Sequence, residues 1–110
     1  MGEFRDVAAI DDIPVGTGRA VEINGRTVAL FHTESGFFAI DNSCPHRGGP
    51  LVDGDLSCDE IVCPWHFWVF DLKTGRHADP RIRVATHEVK QERGRILLRV
   101  SEDVSGGGIV

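Results

Sequence analysis

Few cysteines, no long apolar run and no basic cluster mark this chain, and each shortage excludes something. Three cysteines, an odd number, do not make a disulfide framework, so reduced thiols serving a metal site or a reducing compartment are the expected use. No apolar stretch approaches the roughly 20 residues that span a bilayer, and no membrane partner is expected. The opening residues, Met1-Gly2-Glu3-Phe4-Arg5-Asp6, lack the basic-then-apolar order of a secretory signal, which predicts a cytoplasmic address. Lysines and arginines are outnumbered, 12 against 17 acids for a net charge of -5, and none cluster with aromatics. Nucleic acid is therefore not an expected partner, whereas a basic docking patch on another protein is.

Runs of helical length are also missing. Apolar residues instead alternate over short stretches with turn signals between them, which predicts an all-β protein. Asn24-Gly25 between 19–23 and 26–30 is the strongest hairpin signal, because both residues accept the positive φ of a type I′ turn; it sets Val21 opposite Val28. Arg93-Gly94 predicts a second hairpin, 87–92 with 95–101. Its register pairs Glu92 with Arg95 and Glu88 with Arg99 on a wet face, and Val89 with Leu98 and Gln91 with Ile96 on a dry one. Further strands are expected at 37–41, 60–62 and 68–71, the last closed by Lys73-Thr74-Gly75. At 110 residues the chain fits one domain, placed at 1–104, with 105–110 as a flexible tail.

What the chain does have is a pair of unlike motifs. Cys44-Pro45-His46 and Cys63-Pro64-Trp65-His66 are separated by sixteen residues, 47–62, and each offers one thiolate and one imidazole. Two Cys and two His can hold a structural zinc ion, but zinc patterns pair like ligands locally. A binuclear iron–sulfur centre with histidines on one of its irons needs two of each, and that chemistry is electron transfer. Pro45 and Pro64 fix φ directly after each cysteine, and Gly48 and Gly49 allow close backbone approach. Asp53-Gly54-Asp55 is the expected turn back toward Cys63, and about 42–75 forms a metal-binding insertion.

Cys-Pro-His-Arg-Gly-Gly-Pro-Leu followed by Cys-Pro-Trp-His-Phe-Trp-Val-Phe-Asp-Leu-Lys-Thr-Gly resembles the signature of the Rieske ferredoxin family. The resemblance is tightest over 44–75. It implies an antiparallel β-sandwich with a small cluster-binding subdomain and a Rieske-type [2Fe-2S] cluster. Cys44 and Cys63 would hold one iron, and His46 and His66 the other, nearer the surface. It further implies a one-electron carrier between a reductase and a terminal oxygenase or similar enzyme, itself performing no bond chemistry. A small subunit of an NADH-dependent nitrite reductase has a similar signature and is the alternative within the family. No length remains for a separate mononuclear iron domain.

Two departures from the family's high-potential members stand out. Neither motif carries an extra cysteine, Trp65 standing where the second would be, and Trp68 and Phe70 occupy the positions of hydroxyl donors to the cluster. Fewer hydrogen bonds to sulfur imply a potential nearer about -150 mV than about +300 mV. Phe67 stands where similar proteins often have glycine. Trp65, Phe67, Trp68 and Phe70 are expected to pack over the cluster, with Phe67 the one that could reach a partner. Asp53, Asp55, Asp59 and Glu60 read as a solvated loop able to steer a partner, Cys58 as a spare, partly buried thiol, and His32, His77 and His87 as structural or surface histidines.

Overall fold

The computed structural model describes residues 4–23, 25–43, 49–64, 67–79 and 81–100. They contain β1 (Arg5–Ala9), β2 (Thr17–Ile23), β3 (Arg26–Thr33), β4 (Gly36–Asp41), β5 (Asp55–Ser57), β6 (Glu60–Val62), β7 (Val69–Asp71), β8 (Thr86–Glu92) and β9 (Arg95–Arg99), with one-turn 3-10 helices at Ile10–Asp12 and Leu51–Asp53. Six strands form an antiparallel sheet ordered β1-β9-β8-β4-β3-β2, and β5-β6-β7 form a second. Strands β1 and β5 were not among the strands expected from the sequence.

Both hairpins have the expected register. Val21 faces Val28, and Ile23 faces Arg26 across the turn that contains Gly25 at φ +78. Glu88–Arg99, Val89–Leu98, Gln91–Ile96 and Glu92–Arg95 are all paired. Arg93 and Gly94 both have positive φ, +52 and +80, the geometry a two-residue type I′ loop demands. Ile96 and Leu98 are buried, while Glu88, Glu92, Arg95 and the β8 end of that face are exposed.

Two apolar cores share the middle of the large sheet. The first joins Ala8, Ile23, Val28, Leu30, Phe37, Ala39, Ile96, Leu98 and Val100. Among the described residues no helix longer than three residues covers that face, so the sheet has to close over itself, as in a sandwich. Among the described residues the halves β2-β3-β4 and β1-β9-β8 are joined within the sheet by two residue pairs, Ala39–His87 and Ile40–Thr86, and by the Asp41 N–H, which donates to the Ala85 carbonyl at 3.0 Å. The second core takes Ala29, Phe31 and Ile40 from the opposite face and packs them on Leu51, Ile61, Cys63, Phe70, Leu72 and Val84. Strand β3 is thus buried on both sides, which is why Val28-Ala29-Leu30-Phe31 is a continuous apolar run rather than an alternating one.

The small sheet lies over this second core. Its β5–β6 reversal is the Cys58-Asp59 pair, with Cys58 at φ +53, so Asp53-Gly54-Asp55 begins the return to Cys63 but does not complete it. Asp59 ties the reversal to the framework: its carboxylate accepts a hydrogen bond from the Ser35 hydroxyl at 3.0 Å and pairs with Lys73 at 3.5 Å. That half-buried acid is structural, not part of a solvated loop as its sequence neighbours are; Asp53, Asp55 and Glu60 are exposed.

Candidate functional site: the paired loop roots

Of the four candidate ligands, Cys63 is among the described residues; Cys44, His46 and His66, with Pro45, Arg47, Gly48 and Trp65, lie outside them. The structure does show what holds the two motifs' roots. Ser43 and Pro50 form an antiparallel bridge, so the chain leaves β4 and returns at the same place. Asn42 secures the return. Its carbonyl accepts the Leu51 N–H at 2.7 Å, and its side-chain Oδ1 accepts the Val52 N–H at 2.8 Å.

The second motif begins where β6 ends, and the two roots touch. A Cβ added to Gly54, just after the Leu51–Asp53 turn, would stand 2.0 Å from the Val62 carbonyl oxygen. Only glycine permits that approach. Leu51 from the first root and Cys63 from the second then share the buried core, with Cys63 1% exposed.

The Cys63 loop is closed by its own backbone. Cys63 N–H donates to the Trp68 carbonyl at 2.7 Å, and Phe67 N–H donates to the Cys63 carbonyl at 3.0 Å. A five-residue turn closed this way ends in a left-handed residue, and Phe67 has φ +60. For a side chain with a Cβ that conformation costs about 1–2 kcal/mol, which explains why glycine suits the position and makes phenylalanine there notable. The ring is 74% exposed. Its neighbours separate: Phe70 is buried in the second core, and Trp68 is half-buried with its ring 4.8 Å from that of His77. Phe67, Trp68, Val69, Glu60, Asp71, Arg76 and His77 border a surface cleft of ≈ 490 Å³.

Behind the first root is a charged cluster that the sequence did not single out. Arg26 on β3 donates to both oxygens of Asp41 at 2.9 and 3.1 Å, and His87 Nε2 lies 2.8 Å from Asp41 Oδ1. Burial pushes the Asp41 carboxyl up, but the His87 hydrogen bond and the Arg26 charge outweigh it and hold the group below its ordinary value. The only signal available was Asp41-Asn42 ending a strand, a turn-forming pair before the first motif.

The remaining histidines are structural. His32 sets Nδ1 2.6 Å from the Ile13 carbonyl and stacks on Phe37 at 3.9 Å. His77 Nδ1 accepts the Asp79 N–H at 3.0 Å, so its proton is on Nε2. Cys58 corrects the expectation of a partly buried thiol: it is exposed at the tip of a two-residue turn, where no strand covers it.

A buried free cysteine at a backbone-closed turn, held against the root of the other motif by Gly54, fits a soft-ligand metal centre spanning both loops. An antiparallel sandwich carrying a small second sheet, with a buried cysteine on a closed turn beside it, suits an iron–sulfur electron-transfer domain. Residues 3–90 match the Rieske [2Fe-2S] domain, and the chain belongs to that family; its cofactor is a Rieske-type [2Fe-2S] cluster. It is 38% identical over 97 residues to the ferredoxin component of naphthalene 1,2-dioxygenase/salicylate 5-hydroxylase systems from Ralstonia sp, covering 86% of this chain and 93% of that protein. Among solved structures it is similar to the ferredoxin of carbazole 1,9a-dioxygenase from Nocardioides aromaticivorans IC177, with TM-score 0.82 and 26% identity over 89% of this chain and 98% of that one. A chain from a complex of reduced oxygenase and oxidized ferredoxin in carbazole 1,9a-dioxygenase is also similar, with TM-score 0.80 and 27% identity over 87% and 92%.

Proposed function

We propose that this protein is a one-electron carrier, a Rieske ferredoxin that takes an electron from a reductase and delivers it to a terminal oxygenase or a similar enzyme, without bond chemistry of its own. The observation that carries the reading is the Cys63 turn, in which an enclosed ligand and a 74% exposed side chain are four residues apart. Electron exchange between proteins needs a centre sheltered from solvent yet close to a docking face, and that turn supplies both. Cys44 and Cys63 are assigned to one iron and His46 and His66 to the other. The bound cluster supplies the redox chemistry; the chain supplies the ligands and the scaffold that positions them.

Residues 1–104 are assigned to one Rieske domain, with the cluster-binding subdomain at about 42–75; the second sheet supports that division. The tail expected at 105–110 lies outside the described residues. Among the described residues no helix is long and apolar enough to cross a membrane. A cytoplasmic carrier is the reading in keeping with three cysteines that make no disulfide framework. A nitrite reductase small subunit would share fold and cluster but would copurify with a large subunit.

The test is reconstitution. The purified holoprotein should show the visible absorption and reduced-state electron paramagnetic resonance of a histidine-ligated [2Fe-2S] cluster, and should restore electron flow between an NADH-linked reductase and a terminal oxygenase. A colourless protein with one zinc and no labile sulfide would reject the assignment.

A further inference from the structure

We propose that Phe67 is a specificity anchor for the electron-accepting partner, its ring packing against an apolar side chain that the partner presents inside a basic surface. The inference deepens the carrier reading and rests on it. Val15, Phe67 and Val69 are the exposed large hydrophobics among the described residues, and two of the three border the ≈ 490 Å³ cleft. An aromatic ring 74% exposed contributes little to folding, and its backbone at φ +60 is a conformation that glycine adopts freely. Chain stability therefore does not account for phenylalanine here, and strain kept at an exposed ring points to a binding role.

Position and charge define the occupant. Phe67 follows His66 directly in the chain, and its N–H is bonded to the Cys63 carbonyl, so a protein seated on the ring is also seated on the second ligand turn. Glu60 and Asp71 border the cleft beside Phe67 against Arg76, and Asp55 on the same small sheet is exposed, in a chain of net charge -5. Lys73 is already paired with Asp59. The complementary surface is basic, with an apolar protrusion at its centre, the arrangement in which a single aromatic anchor has most effect on affinity.

The experiment uses the holoprotein with the reductase and terminal oxygenase components of its own host, reading the concentration of carrier that half-saturates oxygenase reduction. Phe67→Gly should keep the cluster's visible spectrum and a thermal midpoint no lower than that of the unsubstituted protein, while the half-saturating concentration rises at least about tenfold, or about 1.4 kcal/mol. Phe67→Leu, which keeps an apolar side chain, should stay within about threefold. An unchanged concentration dependence in Phe67→Gly overturns the anchor, as does a fall in its thermal midpoint that shows the ring to be structural. If the unsubstituted holoprotein reduces no oxygenase component, the carrier reading itself fails, and the anchor with it.

Discussion

His87 and Asp41 are joined at 2.8 Å across the β4–β8 seam between the two halves of the large sheet, and the His87 side chain there is fully enclosed. Arg26 reaches the same carboxylate from β3. One acid thus connects three strands immediately before the first Cys/His motif. Its neighbour Asn42 then accepts hydrogen bonds from Leu51 and Val52, where the described chain resumes beyond that motif.

Replacing Asp41 with Asn keeps the shape of the side chain and removes its charge. The substitution leaves an enclosed histidine and an arginine without their ionised acceptor, at a cost of about 1–3 kcal/mol. Denaturant unfolding of the two proteins measures the difference. Equal midpoints would show that the cluster does not hold the seam.

Acid should expose the same group. Asp41 has a folded pKa below its ordinary 3.8, because the partners' effect outweighs the opposing burial. The unfolded chain therefore binds its proton at a higher pH, so this contribution is complete above the unfolded value and is lost as pH falls through the folded one. Asp6, beside Arg95, and Asp79, beside Arg81, are lowered in the same direction from the surface. Unfolding measured from about pH 6 to about pH 2 should show stability falling on the acid side of the carboxylate range, and less steeply in Asp41→Asn.

Gly54→Ala tests the contact between the roots. A methyl group 2.0 Å from the Val62 carbonyl oxygen forces one backbone away from the other. Overpacking of this kind costs about 1–3 kcal/mol. Cluster absorbance per protein should fall together with the thermal midpoint; a fully loaded protein of normal stability would separate the two loops' geometry from this glycine.

The reduction potential should lie at the low end of the family's range, nearer about -150 mV than about +300 mV. Phe70 is buried and Trp68 half-buried, and neither side chain has a hydroxyl to offer a sulfur. A redox titration of the holoprotein decides this, and a midpoint above zero is incompatible with it.

Hairpins were legible because their information is local. Asn24-Gly25 and Arg93-Gly94 specify their turns, and alternation over 87–98 specifies which faces are dry, so register followed without knowledge of the rest of the fold. The two Cys/His motifs were legible for the same reason, since ligand type and spacing lie along the chain. Contacts between distant segments were not. Nothing near His87 announces that it meets an acid 46 residues away, and nothing in Asp59 distinguishes it from its exposed neighbours until Ser35 is folded beside it. Phe67 was visible as an unusual residue, but its left-handed backbone, which makes the choice costly, is a property of the closed turn.

The narrow β4–β8 seam has a consequence for how the chain reaches its final form. Each half of the sandwich is built mainly from neighbours in sequence: β2, β3 and β4 by successive reversals, and β8 with β9 by one more. The seam waits for everything from Asn42 to Ala85, the excursion that bears the motifs. Closing a loop of that length is slow and entropically unfavourable, and what offsets it is two residue pairs, the Asp41–His87 contact and the first apolar core, all of which form only once the halves meet. Anything that compacts the excursion shortens the effective search of one half for the other. A cluster bound within the excursion would therefore favour the joining of the two halves.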